Sequence, residues 1–469
     1  MGYNYEPVHN MPERNEDALG KATRASAPVN LAELIDEQPI GRFQIQVLVL
    51  CAAAMFVDGF DTQAIGYVAP SLSAALAIKP AALGVVFAAG GLGAILGTLL
   101  FAPIADRVGR KPVIVGCVLL FATCSLLTSF ANTPHELMGM RFATGLGLGG
   151  VVPNALALTA DFMPKRFRVT LVLLTWFGFS IGSGVGGPIT AYILENHTWR
   201  AVFIFGGLLP VVIAPLLWWS LPESLRGLAQ RGGRDSQISS TLTRLNPQLH
   251  LPSGVTFVAE KKEAGFPVAL LFRDGRSRVT IPLWIMFFMA LLELFFLNSW
   301  LPTILHKAGI SQHQAIVVAS LLHFGGIVGG LAIAPLCDKF NPYFVLAISY
   351  ILSGAFIAAI GISGNAAILA MAATFLAGFF TFGAQNTANA IAATNYPTSM
   401  RSSGIGWALG IGRTGQIVGP MIGGLLLSMH WGTQGILYVI AVPSIVAAGA
   451  AFVLRSSSLT LSSETDRAL

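Results

Sequence analysis

Charged side chains make up only 11% of this 469-residue sequence, against about 25% in an average soluble domain. A chain so poor in charge, and 54% hydrophobic, cannot turn most of its surface to water, which excludes an ordinary soluble fold. Cysteine is scarce as well. Cys51, Cys117, Cys124 and Cys337 stand far apart in apolar runs, so they read as small buried hydrophobes, and neither a disulfide framework nor a metal site is expected. No nucleophile, phosphate loop or metal-ligating cluster stands out, which argues against an enzyme, and no cofactor is expected. The first 43 residues are polar and mixed in charge and lack the apolar stretch of a cleavable signal peptide, leaving the first span to direct insertion.

What the sequence has instead is long apolar runs. A membrane span needs about 20 mainly apolar residues, and twelve such runs occur in two groups of six, from 44–70 to 199–221 and from 280–305 to 433–454. The expected fold is therefore an all-α integral membrane protein with twelve transmembrane helices. Its parts are an N-terminal segment (1–43), a six-helix bundle (44–221), a linker (222–279), a second six-helix bundle (280–455) and a tail (456–469). With the N-terminus inside, the inner segments collect 23 of the 28 Lys and Arg residues, so the positive-inside rule places both termini in the cytoplasm. The net charge of +6 is thus a topology signal and no case for nucleic acid. The linker is rich in Arg, Gly and Ser and reads as a flexible tether; its FPVALLF stretch is compatible with a short surface helix.

Adding 232 to a first-half position repeatedly finds a related residue. Pro70 maps to Pro302, APIAD ending at Asp106 maps to APLCD ending at Asp338, Pro188 maps to Pro420 and Trp199 to Trp431. With one residue more, Pro164 and Arg168 map to Pro397 and Arg401. Such a series marks an internal repeat. Because six spans intervene, the copies are parallel, related by an axis along the membrane normal, and a site is expected near the midplane between two pseudo-symmetric halves.

The stretch APIADRVGRK (102–111) resembles the loop between spans 2 and 3 of the major facilitator superfamily, with Ala102 in place of the usual glycine. RFATGLGLGG from Arg141 resembles the span 4 motif of proton-coupled members, and LPESLRG the end of span 6 in sugar porters. DGFDTQAIGYVAPSL, with IDEQPIGRFQ upstream and SWLPTIL and YPTSMRSSGIGWALGIGR downstream, resembles the aromatic acid:proton symporter family over residues 33 to 455. The resemblance implies the major facilitator fold, a location in the cell's inner membrane, and transport coupled to protons in which the two acids of the first span are required. Asp106, Arg107 and Arg110 would belong to a gating latch whose second copy keeps Asp338 but loses the basic pair. Asp161, Arg168 and Arg401, at inner helix ends, are likewise better placed to gate than to bind.

Asp58 and Asp61 lie three residues apart in a run without lysine or arginine. On a helix they share a face, and carboxylates within spans usually face a cavity or a partner and mark a pathway. Both are expected to face the central cavity and to couple protons; a structural pair is the bland alternative. Glu293 lands on Asp61 under the repeat and reads either as a second titrating group or as a buried acid with its own mate. Arg413, near mid-depth of span 11, is a candidate anchor for a substrate carboxylate. Arg141 is a candidate partner of the span 1 acids or part of the binding or gating shell. His323 could shuttle a proton or simply bond a neighbour. Gln385, Asn386 and Asn389 could bond substrate or glue helices. Trp176, Phe177, Phe295, Phe296 and Trp300 could stack on an aromatic ring or merely pack.

The reading these residues support is a monomeric, proton-coupled importer of a small aromatic carboxylate of the benzoate or hydroxybenzoate class, working by alternating access among membrane lipids. A proton on Asp61, or shared with Asp58, and a carboxylate on Arg413 would together neutralise the loaded cavity. Alternatives are a proton-antiport exporter, suggested by GQIVGPMIGG (415–424), a sugar or metabolite porter, and, from another class, a channel or nutrient sensor. A sensor would need a sizeable signalling domain, and the longest soluble piece is the linker.

Overall fold

The computed structural model describes residues 29–249, 255–258, 268–273, 275–396 and 400–467. Its frame is twelve long helices. The first half holds α1 (Arg42–Ala75), α2 (Pro80–Val108), α3 (Arg110–Thr128), α4 (Pro134–Phe162), α5 (Lys165–Asn196) and α6 (Trp199–Ser220). The second holds α7 (Ser277–Lys307), α8 (Gln312–Lys339), α9 (Pro342–Ile362), α10 (Ala367–Thr394), α11 (Arg401–Ser428) and α12 (Thr433–Arg467). α2, α4 and α9 each begin at a proline, whose fixed φ and missing N–H suit a first helical turn. Thr133 and Asn341 cap α4 and α9 by accepting from backbone N–H groups of the first turn.

Among the described residues, eleven helices are long and apolar enough to cross a membrane. The twelfth, α11, has the length at 28 residues, but glycines, Arg413 and Gln416 dilute its hydropathy. It packs on α7 and α2, so protein meets much of its polar surface.

The packing order makes the repeat visible. In the first half α1 packs on α5 and α6, α2 on α4, and α3 on α4 and α6; in the second α7 packs on α11 and α12, α8 on α10, and α9 on α10 and α12. Adding six to each index turns one set into the other. Small residues allow the closest of these contacts: a Cβ at Gly59 would overlap the Phe179 carbonyl, and one at Gly182 the carbonyl of Phe56, so α1 and α5 touch backbone to backbone.

The halves meet through α1 with α7, α2 with α11 and α5 with α8, the last two exchanging under the same operation. We call the face carrying the α2–α3 and α4–α5 turns the near face and the opposite one the far face. The halves are tied together from mid-depth to the far face. Gln312 Nε2 donates to Ser71 Oγ at 2.5 Å and Gln416 Nε2 to the Gly91 carbonyl at 2.8 Å, while His313 Nδ1 lies 2.6 Å from Glu195 Oε1. A Cβ at Gly84 would lie 2.8 Å from the Pro420 carbonyl oxygen, and one at Gly424 2.6 Å from that of Pro80. The two backbones are in contact there, closing the far face.

The linker departs from the flexible tether expected of it. Residues 225–231 and 235–245 are helical, and Leu225, Leu228, Ile238 and Leu242 are buried in one apolar cluster with Leu31, Ile35, Val47 and Leu217 of the first half. Ile238, Leu242 and Leu245 recur at i, i+4 and i+7, which gives the second helix an apolar face despite its polar composition. Val29–Asn30 pairs in parallel with Phe257–Val258. Within FPVALLF, residues 266–267 lie outside the described residues; Val268–Phe272 forms a 3-10 turn with Leu271 buried against the second half. The linker is thus docked at both ends.

Candidate functional site

The buried charges of α1 have different environments. Asp61 is fully buried and turned into its own bundle, not toward the gap between halves: Ser125 Oγ of α3 donates to its Oδ1 at 2.6 Å, and Arg141 Nη1 of α4 lies 3.1 Å from its Oδ2. Arg141 also approaches the Asp61 carbonyl and lies over the Phe203 ring. Both charges of this pair are therefore mated inside the first half. Asp58, one turn earlier, has no such mate. Its Oδ1 accepts from Thr62 Oγ1 at 3.2 Å, and its Oδ2 is buried without a hydrogen-bond partner. It lies close enough to Asp61, and to Arg413 of the other half, for their charges to interact. A separation of three residues turns a helix by 300°, so the side chains diverge by about 60°: Asp61 reaches Ser125 and Arg141, whereas Asp58 misses both and lies within charge range of Arg413 across the interface and of Cys117 of α3.

Arg413 crosses the interface. Its Nη1 donates to Thr98 Oγ1 of α2 at 2.6 Å. Thr98 Oγ1 is also 2.9 Å from the Ala94 and Gly149 carbonyls, so its proton is engaged there and a lone pair is left for the guanidinium. That contact uses one of the five guanidinium donors. The arrangement sets an acid of one half within charge range of an arginine of the other, at mid-depth, where a carboxylate ligand on the arginine would be balanced only with a proton on the acid.

Glu293, Asp61's counterpart, is likewise turned into its own bundle. It is held by Ser444, by Ser353 Oγ at 3.0 Å and by Thr381 Oγ1 at 3.5 Å, from α12, α9 and α10. Ser353 and Thr381 are themselves 2.6 Å apart. Hydroxyls stand where Asp61 has an arginine. His323 is fully buried, tilted against Phe382 with ring centroids 5.7 Å apart, and neither ring nitrogen has a partner. Gln385 and Asn386 are half-buried, and the Asn386 amide rests against Gly330 of α8; Asn389 is exposed. Trp176 and Phe177 are half-buried, and Trp176 stacks on Phe179 at 5.5 Å. Phe295 is half-buried, whereas Phe296 and Trp300 are buried, and Trp300 Nε1 donates to the Pro420 carbonyl at 2.8 Å. This bond fixes Trp300 in the α7–α11 contact.

On the near face Asp161 gathers a cluster: Arg110 and Ser224 bond its Oδ2, and Arg226 Nε lies 3.7 Å from its Oδ1. Glu223 accepts from the Arg110 backbone N–H at 2.8 Å. Arg168 pairs with Asp36 at 3.1 Å, and Asp36 also accepts from the Lys165 N–H at 2.7 Å. Asp106, Arg107, Asp338 and Arg401 are exposed near the near-face ends of α2, α8 and α11. Sequence reasoning did not single out Ser125, Thr98, Asp36, Ser224 or Arg226. A lone serine or threonine in an apolar helix was the available signal for the first two.

Two six-helix halves that repeat one packing pattern, with buried charges where they meet, have the architecture of a membrane carrier. The chain belongs to the Major Facilitator Superfamily, whose model matches residues 51–274 and 283–467. It is similar to the gallate transporter of Pseudomonas putida, at 38% identity over 422 residues, covering 90% of this chain and 94% of that one. It is also similar to the 4-hydroxybenzoate transporter PcaK of Pseudomonas putida, at 37% identity over 435 residues, covering 92% and 96%. The benzoate transport protein of Acinetobacter baylyi is 30% identical over 413 residues, covering 86% and 88%. Among solved structures, the D-xylose-proton symporter superposes with a TM-score of 0.67 at 16% identity, covering 87% of this chain and 97% of that one. That likeness concerns the fold alone.

Proposed function

We propose that the protein takes up a small aromatic carboxylate in symport with protons, in the cell's inner membrane, with both termini cytoplasmic. The near face is then the cytoplasmic one, and the far face, which the contacts between the halves close, is the outer one. The observation that carries the reading is the buried Oδ2 of Asp58, without a partner and within charge range of Arg413 across the interface. The relatives named as gallate, 4-hydroxybenzoate and benzoate transporters support the substrate class.

In this reading Arg413 holds the substrate carboxylate and Asp58 carries the proton. Asp61 is already neutralised by Arg141 and satisfied by Ser125, so it fixes α1 against α3 and α4. Glu293, ringed by hydroxyls, ties α7 to α9, α10 and α12. A loaded cavity with both charges balanced can cross the closed intermediate; an unequal load would leave a net charge in a low-dielectric space and raise the barrier. The protein works as a monomer, since each half supplies one of the two charges.

The test is uptake of a panel of aromatic acids into proteoliposomes with and without an inward proton gradient. Accumulation above equilibrium is expected only with the gradient, and Asp58→Asn is expected to lose it while still reaching the membrane. Undiminished accumulation by Asp58→Asn removes the proton assignment, and absence of flux for every aromatic acid removes the substrate class.

A further inference from the structure

At the crossing of α1 and α7, just beyond Asp58, two side-chain amides are buried between the halves. Gln63 is 2% exposed and Asn298 7%. Gln63 Nε2 donates to the backbone carbonyl of Asn298 at 2.8 Å. A carbonyl oxygen can only accept, so the amide nitrogen must face it, and the orientation of the Gln63 side chain is fixed by that contact. Gln63 Oε1 therefore points away from the Asn298 carbonyl, and it is buried without a hydrogen-bond partner, as is Asn298 Oδ1. Gln63 Oε1 is left wanting a donor, and the Asn298 amide, which no hydrogen bond orients, can present either its oxygen or its nitrogen beside it. Buried oxygens of this kind are normally paired, because an unpaired one forfeits its hydration.

We infer that Gln63, together with Asn298, forms a subsite that accepts a hydrogen bond from a ring hydroxyl of the transported aromatic acid. The inference rests on the aromatic-carboxylate reading above. A carboxylate has no proton to give and would be repelled by amide oxygens, so this subsite cannot be the anchor for the acid group; Arg413 keeps that role. A phenolic O–H supplies the missing donor. Gln63 lies five residues past Asp58, about 7.5 Å further along the α1 axis and about 140° around it, which turns it toward Asn298 of α7. A site that hydrogen-bonds a substrate hydroxyl rejects the analogue lacking it, since the buried acceptors then stay unpaired. Because Gln63 and Asn298 belong to opposite halves, a hydroxyl that donates to Gln63 Oε1 and accepts from Asn298 Nδ2 would also help hold the far face closed over the substrate.

The experiment compares transport of 4-hydroxybenzoate, 3-hydroxybenzoate and benzoate by the full chain in proteoliposomes, for the unaltered protein, Gln63→Met and Asn298→Val. The readout is the ratio of kcat/KM for the better hydroxybenzoate over benzoate. The unaltered protein is expected to favour the hydroxylated acid by about tenfold or more, and each variant to bring the ratio toward one. A merely structural role for Gln63 would slow all three substrates together and leave the ratio intact, which overturns the inference; so does a ratio near one in the unaltered protein, the result expected if buried water satisfies the amides. Asn298→Val gives an independent arm should Gln63→Met fail to reach the membrane, and displacement of bound radiolabelled 4-hydroxybenzoate by benzoate in detergent reads the same ratio without transport. Lack of flux for all three acids in the unaltered protein would remove the proposed function, and this inference with it. Flux with a preference indifferent to both variants removes the inference alone.

Discussion

Separating Asp61 from Arg141 tests the buried pair that distinguishes this acid from Asp58. The two side chains are 0% and 5% exposed and lie 3.1 Å apart. Removing one member of such a pair strands the other in a low-dielectric interior, at a cost of about 3–5 kcal/mol. The two single substitutions should differ in size. Asp61→Asn leaves a guanidinium that cannot give up its charge, whereas Arg141→Leu leaves a carboxyl that can take up a proton. Asp61→Asn is therefore expected to be the more damaging. Ser125→Ala removes a single hydrogen bond, 2.6 Å long, to the same carboxylate and is expected to cost about 1.5–3 kcal/mol, the range for bonds to charged groups. In the double variant Asp61→Asn with Arg141→Leu no charge is stranded, so it should recover at least half of the loss caused by Asp61→Asn. Thermal unfolding in detergent, followed by size-exclusion chromatography of heated samples, gives the order of stabilities. The reasoning is refuted if the double variant is no more stable than the worse single one, or if both singles unfold with the unaltered protein.

Two further outcomes follow from the packing. A side chain at Gly84 would meet the Pro420 carbonyl with its Cβ at 2.8 Å, and easing that contact would require a backbone shift costing about 1–3 kcal/mol. Gly84→Val should therefore slow uptake per molecule in the membrane by about tenfold, and a normal rate would show that the far face closes elsewhere. Ile238 is fully buried in the cluster that docks the linker. Ile238→Asp is expected to free that helix and speed trypsin cleavage at Arg231, Arg234 and Arg244, while cleavage at the unaltered rate would contradict the docked linker.

Much of the architecture could be read along the chain because a bilayer leaves few options. Backbone polar groups in hydrocarbon must be satisfied within the segment, so a run of about 20 apolar residues already states a helix, and the run 199–221 coincides to within one residue with α6. The offset of 232 residues likewise marked the two halves, which the helix contacts repeat pair for pair. α11 reads as an apolar run like the rest, although its hydropathy is diluted by residues that face protein.

The chain by itself determined that carboxylates and arginines sit inside spans, because side-chain chemistry and depth follow from one-dimensional position. Which charge meets which was decided only by the tertiary structure. Asp58 and Asp61 look alike in sequence, and their fates diverge because a helix turns them by different angles, so that Asp61 meets Ser125 and Arg141 while Asp58 is left with Thr62 of its own helix. The same holds for Glu293, whose serine and threonine partners come from three helices far apart in the chain, and for Gln63, whose unpaired oxygen exists only because its nitrogen reaches across to α7. Helix formation is local, so the sequence carries it; pairing between helices depends on rotation and contact distance, which exist only once the halves have packed.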